Sequence, residues 1–356
     1  MGRTLIIGDT HIWNHKWQGG QLVDGVNRRC REIVESILGT VDAAKREYGI
    51  TSVVQLGDFF DGPKPSAALL DISIRMIKET GLPWHIIAGN HDIASYDAPS
   101  AIAPLGHVDG IHVYEKPTLV NIDGHQWAMV PYMGPNAVEA LTKALPILQQ
   151  ANYAAVHYGL VYGPGSRTDL IDKDQWSALC KHGDRLQVPP FGFFGHEHNS
   201  RVAGVNYRSV GAYTQSNFSD AHGAPSVVSI TSVYSDHRFF DSNYAVVGPR
   251  FYNLCHEQVL NLRTLALYGS RVFNDPIYIM VGVHQVAEAQ SLLDAGIIQG
   301  YKVQPMFVDA SGTVSELVVP CAAESTMDVV YSTAGSIVPA EILEDVVTIL
   351  EQDMQE

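Results

Sequence analysis

Trp84-His-Ile-Ile-Ala-Gly-Asn90-His91-Asp92 is a short apolar run that stops at a glycine and gives way to three polar side chains. A run of this length bounded by a turn residue reads as a buried strand whose carboxyl end opens onto a loop. Four more segments share the design: Thr4-Leu-Ile-Ile-Gly-Asp9, Ser52-Val-Val-Gln-Leu-Gly-Asp58, Tyr153-Ala-Ala-Val-His157 and Phe191-Gly-Phe-Phe-Gly-His196. Between the first three lie amphipathic stretches. Val26 to Tyr48 carries Ile33, Ile37, Val41 and Ala44 at helical spacing, and Ser66 to Thr80 carries Leu69, Leu70, Ile74 and Ile77. Helices joining parallel strands follow, and the fold class is α/β.

Two places break that rhythm. Thr118–Ile122 and His125–Val130 flank Asp123-Gly124, whose second position tolerates positive φ, which predicts a hairpin. Val205–Ser209, Ser226–Val233 and His237–Phe240 are strand-like with turn residues between them, so the sheet is expected to be mixed. Past Arg250, Ile277–Val283 reads as a strand, Gln285–Ala295 as a helix closed by Gly296, and Tyr301–Val308 as another strand, a small α/β unit of its own. The chain then turns Ser/Thr-rich and finishes with a helix from about Pro339, whose Ile342, Val346, Ile349 and Leu350 form one apolar stripe.

Composition excludes several classes. With 46% hydrophobic and 17% charged residues among 356, the chain is not disordered, collagen-like or membrane-spanning in composition. Its length predicts about two domains and a sizeable core. Cys30, Cys180, Cys255 and Cys321 lie far apart with no C-x-x-C pair, which points to reduced thiols in a cytoplasmic setting. The apolar run before Asp9 is too short for a signal-peptide core, and no window approaches the ~20 apolar residues of a membrane span, so no membrane association is expected.

The net charge of −15 is unevenly placed. Residues 251–356 hold three basic against fourteen acidic side chains, a net of −11, which leaves −4 for residues 1–250. The acidic end would repel a polyanion, whereas groups such as Arg28-Arg29-Cys30-Arg31 are placed to meet phosphate. The other reading of the acidic end is a solubilising tail.

Open α/β sheets bind ligands at the carboxyl ends of their strands. The five expected ends carry Asp9, His11, Asp58, Asn90, His91, Asp92, His157, His196 and His198, each able to ligate a cation or carry a proton. Nine of the other histidines, among them His85 and His112, read as structural or surface groups, and His15 stays open between the two. In order along the chain the strings are Gly8-Asp9-Thr10-His11, Gly57-Asp58, Gly89-Asn90-His91-Asp92, a lone His157 and Gly195-His196-Glu197-His198. Over roughly residues 4–230 this set resembles the motifs of the metallophosphoesterase superfamily.

The resemblance implies a mixed β-sandwich flanked by helices, holding two divalent cations that neutralise an anionic phosphodiester and supply a nucleophile. It assigns Asp58 as the bridge between them, Asp9, His11 and His198 to one cation, and Asn90, His157 and His196 to the other. Carboxylate, amide and imidazole without thiolate suit two Mn²⁺, with Mg²⁺, Fe²⁺ or Zn²⁺ as alternatives. His91 is the candidate general acid, and Asp92 is expected to hold it protonated, the competing reading of Asp92 being a loop or cap residue. Glu197, between two ligands, reads as solvent-facing.

The flanks resemble the SbcD-type DNA double-strand-break repair nucleases, a group that includes the recombination endonuclease subunit of tailed phages. The features are Gln21-Leu-Val-Asp-Gly25 leading into a helix, Gln55-Leu-Gly-Asp-Phe-Phe-Asp61, Val205-Asn-Tyr-Arg-Ser-Val-Gly211 after the last ligand, and the appended α/β unit. Asp61 stands where many cellular members carry His, and Ala212-Tyr213 where Ser or Thr with Pro is frequent. The resemblance implies a nuclease domain over residues 1–250, a capping domain over 251–325 and a partner-binding segment over 326–356. It further implies DNA as substrate, a homodimer, and an SbcC-type coiled-coil ATPase as partner. The stripe Ile342/Val346/Ile349/Leu350 is either the docking face for that ATPase or packs on its own domain. Two other readings stand beside the nuclease: a small-molecule phosphodiesterase or phosphatase, and a non-catalytic adaptor with a structural metal site.

Overall fold

The computed structural model describes residues 2–15, 19–95, 97–161, 167–179, 190–198, 203–204, 206–214, 227–231, 242–245, 250–253, 277–282, 286–298, 300–304, 306–308, 314–316 and 319–321. The chain divides into two compact units, Met1–Gly248 and Pro249–Glu356.

In the first unit, strands Thr4–Ile7 (β1), Ser52–Gln55 (β2), Trp84–Ile87 (β3) and Ile111–Tyr114 (β4) lie parallel and side by side. Helices Arg28–Tyr48 (α1) and Ala67–Thr80 (α2) make the first two crossovers. Both start at a residue that satisfies an otherwise unpaired amide: Asn27 accepts from the Cys30 N–H at 3.0 Å, and Ser66 from the Leu69 N–H at 3.3 Å. Both end on a left-handed glycine, Gly49 at φ 61° and Gly81 at φ 65°. Alternation along the strands splits the core. Leu5, Ile7, Val53, Trp84 and Ile86 pack with Ile33, Ile37, Leu69 and Ile77 of the helices, while Ile6, Val54 and Ile87 pack on the other face.

That other face meets a second sheet. Thr118–Ile122 (β5) and His125–Val130 (β6) form the expected antiparallel hairpin, turning through Asp123 at φ 54° and Gly124 at φ 88°. Asp123 Oδ2 accepts from Ser52 Oγ at 2.6 Å and Thr51 Oγ1 at 2.8 Å, which pins the turn to the first sheet. After helix Ala137–Leu148 (α3) comes Tyr153–Val156 (β7), then a small parallel pair, Gly159–Val161 (β8) and Leu170–Asp172 (β9). Helix Lys173–Leu179 (α4) and strands Phe191–Phe194 (β10), Ala203–Gly204 (β11) and Tyr207–Ser209 (β12) follow. The sheet order is β11-β12-β10-β7-β6-β5. Trp127, Met129, Tyr153 and Phe193 fill the space between the sheets, and the outer face of the second sheet packs on α3 and on Trp176 of α4. Truncating the fully buried Trp127 to Ala should cost about 3–5 kcal/mol.

Val227–Thr231 (β13) and Ser242–Ala245 (β14) extend the first sheet antiparallel beyond β1, giving β14-β13-β1-β2-β3-β4. The architecture is a mixed two-sheet sandwich with helices on both outer faces. The run His237–Phe240 lies outside the described residues.

In the second unit, Arg250–Asn253 (β15), Ile277–Gly282 (β16) and Gly300–Gln304 (β17) are parallel. Met306–Val308 (β18) pairs with Val314–Glu316 (β19), and Val319–Cys321 (β20) lies antiparallel to β17. Helix Val286–Asp294 (α5) packs Ala289 and Leu292 on Ile279 and Val281. The expected single strand Tyr301–Val308 is therefore two strands in two sheets. The sequence places Pro305 between them, a residue with no N–H to give a ladder. The stripe Ile342/Val346/Ile349/Leu350 lies outside the described residues. Among those described, no helix is long and apolar enough to cross a membrane.

Candidate metal centre

The parallel strands β1, β2, β3, β7 and β10 end in the loops that carry the candidate ligands, and the two sheets bring those loops together. Thr10 and His11 N–H donate to the Asp58 carbonyl at 3.1 and 3.0 Å, and the Tyr132 N–H donates to the Ala88 carbonyl at 2.9 Å. His11, Asp58 and His196 all hold left-handed backbone, at φ 44°, 49° and 72°. Such conformations cost of order 1–3 kcal/mol each and persist where surrounding contacts over-determine them. The loops are also tight. A Cβ on Gly89 would run into Asp58, and one on Gly8 into the Gly211 carbonyl, so neither position accepts a side chain without displacing the loop.

Among the described residues three donor groups form, Asp9 with His11 and His198, Asp58 with His157 and His196, and His11 with Asp61 and His91; within each, the ligating atoms lie within 4.8 Å of one another. Asn90 joins the second, its Oδ1 2.9 Å from His157 Nε2 and 2.8 Å from His196 Nδ1. All seven candidate ligands thus converge. Asp9, Asp58 and His157 are essentially sealed from solvent.

Hydrogen bonds orient the rings. His157 Nδ1–H donates to the Leu56 carbonyl at 2.6 Å, which turns Nε2 to the pocket, 2.9 Å from Asn90 Oδ1. His196 Nε2 lies 2.8 Å from Asp169 Oδ2 and 3.0 Å from Arg167 Nη2, which turns Nδ1 to the pocket. His11 Nε2 and His198 Nε2 stand 3.1 Å apart, nitrogen to nitrogen, a contact that needs a shared proton or a cation between lone pairs. Burial opposes charge on His157, but the Asp58 and Asp9 carboxylates hold it protonated above its ordinary range, while Asp58 is held below the usual carboxylate range. The cluster demands positive charge.

His91 and Asp92 do not pair, contrary to expectation. The Asp92 carboxylate is fully buried and accepts from the Gly89, Phe60 and Phe59 N–H groups at 2.9, 3.0 and 3.2 Å. It ties the β2 and β3 loops together, which is the loop-anchor reading, because adjacent residues in a turn point apart. The partner of His91 is Asp61, 3.4 Å from its Nδ1. That carboxylate raises His91 to about 9, while the ring stays 43% exposed. Asp61 Oδ1 also lies 3.0 Å from His11 Nδ1, and Oδ2 3.6 Å from His15. His15 is a support group, pushed down to about 4 by burial.

Two further expectations are corrected. Glu197 is not free in solvent; its Oε1 accepts from Arg167 Nη1 at 2.9 Å. Arg29 is fully buried, donating to Thr214 Oγ1 at 3.0 Å, so the Arg28-Arg29-Cys30-Arg31 group does not present three cations. In the loop after β12, Tyr213 N–H donates to the Asp9 carbonyl at 2.7 Å and its hydroxyl lies 2.8 Å from Thr40 of α1.

The calcineurin-like phosphoesterase family profile matches residues 2–234. The chain belongs to that family. Two relatives are parts of nucleases by name. Exonuclease subunit 1 of Enterobacteria phage T4 is 27% identical over 141 residues, 37% of this chain and 38% of the relative. The SbcD component of the SbcCD nuclease of Bacillus subtilis (strain 168) is 31% identical over 106 residues, 29% of this chain and 26% of the relative. The matches thus span less than two fifths of either relative's length.

For a calcineurin-like phosphoesterase the donor set fits divalent cations. It offers oxygen and imidazole nitrogen without thiolate, turns those nitrogens inward, and is backed by Asp61 and Asp169. Those two carboxylates were not among the expected site residues. Asp61 was visible as a departure from the family pattern. Asp169, in the loop before β9, carries no local signal.

Proposed function

We propose that the chain is a two-metal DNA phosphodiesterase, a 3′ to 5′ exonuclease with single-strand endonuclease activity that processes DNA ends in recombination and double-strand-break repair. The observation that carries the hydrolytic reading is the pair of inward-facing donor groups with a half-exposed, carboxylate-backed histidine beside them. A nuclease that works with a partner subunit is supported by the names of the two relatives, and DNA and an SbcC-type ATPase by the motif resemblance. We assign Asp9, His11 and His198 to one cation, Asn90, His157 and His196 to the other, and Asp58 to both, with Mn²⁺ as the resident metal. Two such cations neutralise phosphodiester charge and lower the pKa of attacking water.

The chain's own groups do the rest. His91, held through Nδ1 by Asp61, keeps a proton on Nε2 and gives it to the departing alkoxide as the P–O bond breaks. Asp92 fixes the loop that aims His91. Residues 1–250 form the nuclease domain, 251–325 a capping domain, and 326–356 the segment that docks the ATPase. The protein works in the cytoplasm as a homodimer.

Purified protein with Mn²⁺ should shorten 5′-labelled duplex DNA from its 3′ ends, EDTA should abolish this, and His91→Ala should lose cleavage while binding two Mn²⁺ per chain. Turnover of cyclic nucleotides or aryl phosphates with DNA left intact would instead identify a small-molecule phosphodiesterase. Deleting residues 335–356 should spare cleavage and end co-purification with the ATPase; unchanged co-purification refutes the docking assignment.

A further inference from the structure

Beside the donor groups lies a cleft of about 460 Å³ that none of the proposed ligands lines. It opens where β3, β4 and β6 end, the edge at which open α/β sheets receive ligands. Its floor is built from backbone: Ala88 N–H donates to the Tyr114 carbonyl at 3.1 Å, and the Tyr132 N–H to Ala88 at 2.9 Å. One wall is the loop after Asp92, closed at its neck by the Ala101 N–H on the Asp92 carbonyl at 2.7 Å and braced by the Ser100 N–H on Glu115 Oε1 at 2.6 Å. The cleft is therefore braced at its floor and along one wall.

Tyr132 is the wall shared with the metal centre. Its ring is tilted 26° from that of His196, centroids 6.2 Å apart, and 31° from that of Tyr158 at 5.4 Å, and lies edge-on to His157 at 6.3 Å. Ile93, Pro99, Pro117 and Met133 supply the remaining apolar surface. The charged lining is Asp97, Glu115 and Lys116, a net of −1. A second phosphate would be repelled there. A flat, uncharged ring with exocyclic amino donors satisfies both the aromatic face and the carboxylates, and the volume lies within the range of small-molecule sites.

We propose that this cleft holds one nucleobase of the strand being cut, stacked on Tyr132, so that base capture sets the register of the scissile phosphate over the cations. The inference rests on the nuclease reading and names the part of the substrate that the metal centre itself does not read. Losing base–aromatic stacking near the low end of its usual worth lowers kcat/KM about tenfold, which is about 1.4 kcal/mol.

The test is cleavage, with Mn²⁺, of single-stranded oligonucleotides carrying one abasic site moved stepwise past the cut. Wild type should show one register at which the missing base costs about tenfold in kcat/KM. Tyr132→Phe should keep that dependence, and Tyr132→Ala should cut intact and abasic strands at equal rates. Because Tyr132 touches ligand rings, Ser95→Trp serves as the second variant, filling the cleft from the opposite loop, and it too should abolish the dependence. A wild type indifferent to every abasic position overturns the proposal, as does a dependence that survives in Ser95→Trp. Strands left uncut by wild type would overturn the nuclease reading and the base as occupant together.

Discussion

His11 and His196 belong to different donor groups, yet each has a carboxylate behind its ring, Asp61 3.0 Å from His11 Nδ1 and Asp169 2.8 Å from His196 Nε2. The two carboxylates differ in what else they hold. Asp61 also reaches His91 and His15, so it ties a ligand ring to the group proposed to carry a proton. Asp169 is instead gripped by the Arg167 guanidinium, at 2.9 Å from Nε and 2.6 Å from Nη2, so it ties a ligand ring to a neutralising cation. One device therefore serves two purposes, and the third party to each pair decides which.

Replacing Asp61 with Asn should have the largest effect, a fall of about 100-fold in kcat at saturating Mn²⁺, because general-acid catalysis is worth about 10²–10⁴. The loss should shrink on an aryl phosphodiester, whose leaving group needs no proton; an equal loss on both substrates would break the contrast. Asp169→Asn should weaken Mn²⁺ binding by about 10–100-fold in a titration and leave kcat at saturating metal within about threefold.

A third histidine sharpens the comparison from outside the site. Against His85 lies a hydroxyl instead; its Nδ1 is 2.8 Å from Tyr114 Oη and its ring stacks on His112 at 4.7 Å. Burial, reinforced by His112 and opposed by Asp123, pushes it down to about 4, where Asp61 raises His91. A folded value below the unfolded 6.5 means that the unfolded chain binds the extra proton, so stability is full above pH 6.5 and falls as the pH drops towards 4. Between pH 7 and pH 5 His85 should contribute a loss of about 2 kcal/mol in urea unfolding, absent in His85→Gln. The smallest effect is reserved for Arg167→Gln. With that side chain 53% exposed, its ion pairs should contribute under about 1 kcal/mol to unfolding.

These contrasts also mark what could be read from residues alone. Helices α1 and α2 were legible because Ile33, Ile37, Val41 and Ala44, and Leu69, Leu70, Ile74 and Ile77, recur at helical spacing, and the strand ends because each apolar run stops at a glycine or a histidine. All seven candidate ligands lie on those ends. Asp92 was misread because adjacency along the chain is not adjacency in a turn, where the Gly89, Phe59 and Phe60 amides claim the carboxylate. Asp169 and Arg167 were invisible because their contacts to His196 span 27 and 29 residues from an irregular loop with no periodicity. The split of Tyr301–Val308 into two strands was not foreseen, although the sequence puts Pro305 between them and Lys302 and Gln304 already interrupt the apolar run.

The most direct test of the central claim is anomalous diffraction from crystals soaked in Mn²⁺. The account predicts two peaks roughly 3.5–4 Å apart with Asp58 between them, one against Asp9, His11 and His198 and the other against Asn90, His157 and His196. A single peak, or a peak held by His11, Asp61 and His91 instead, would contradict it.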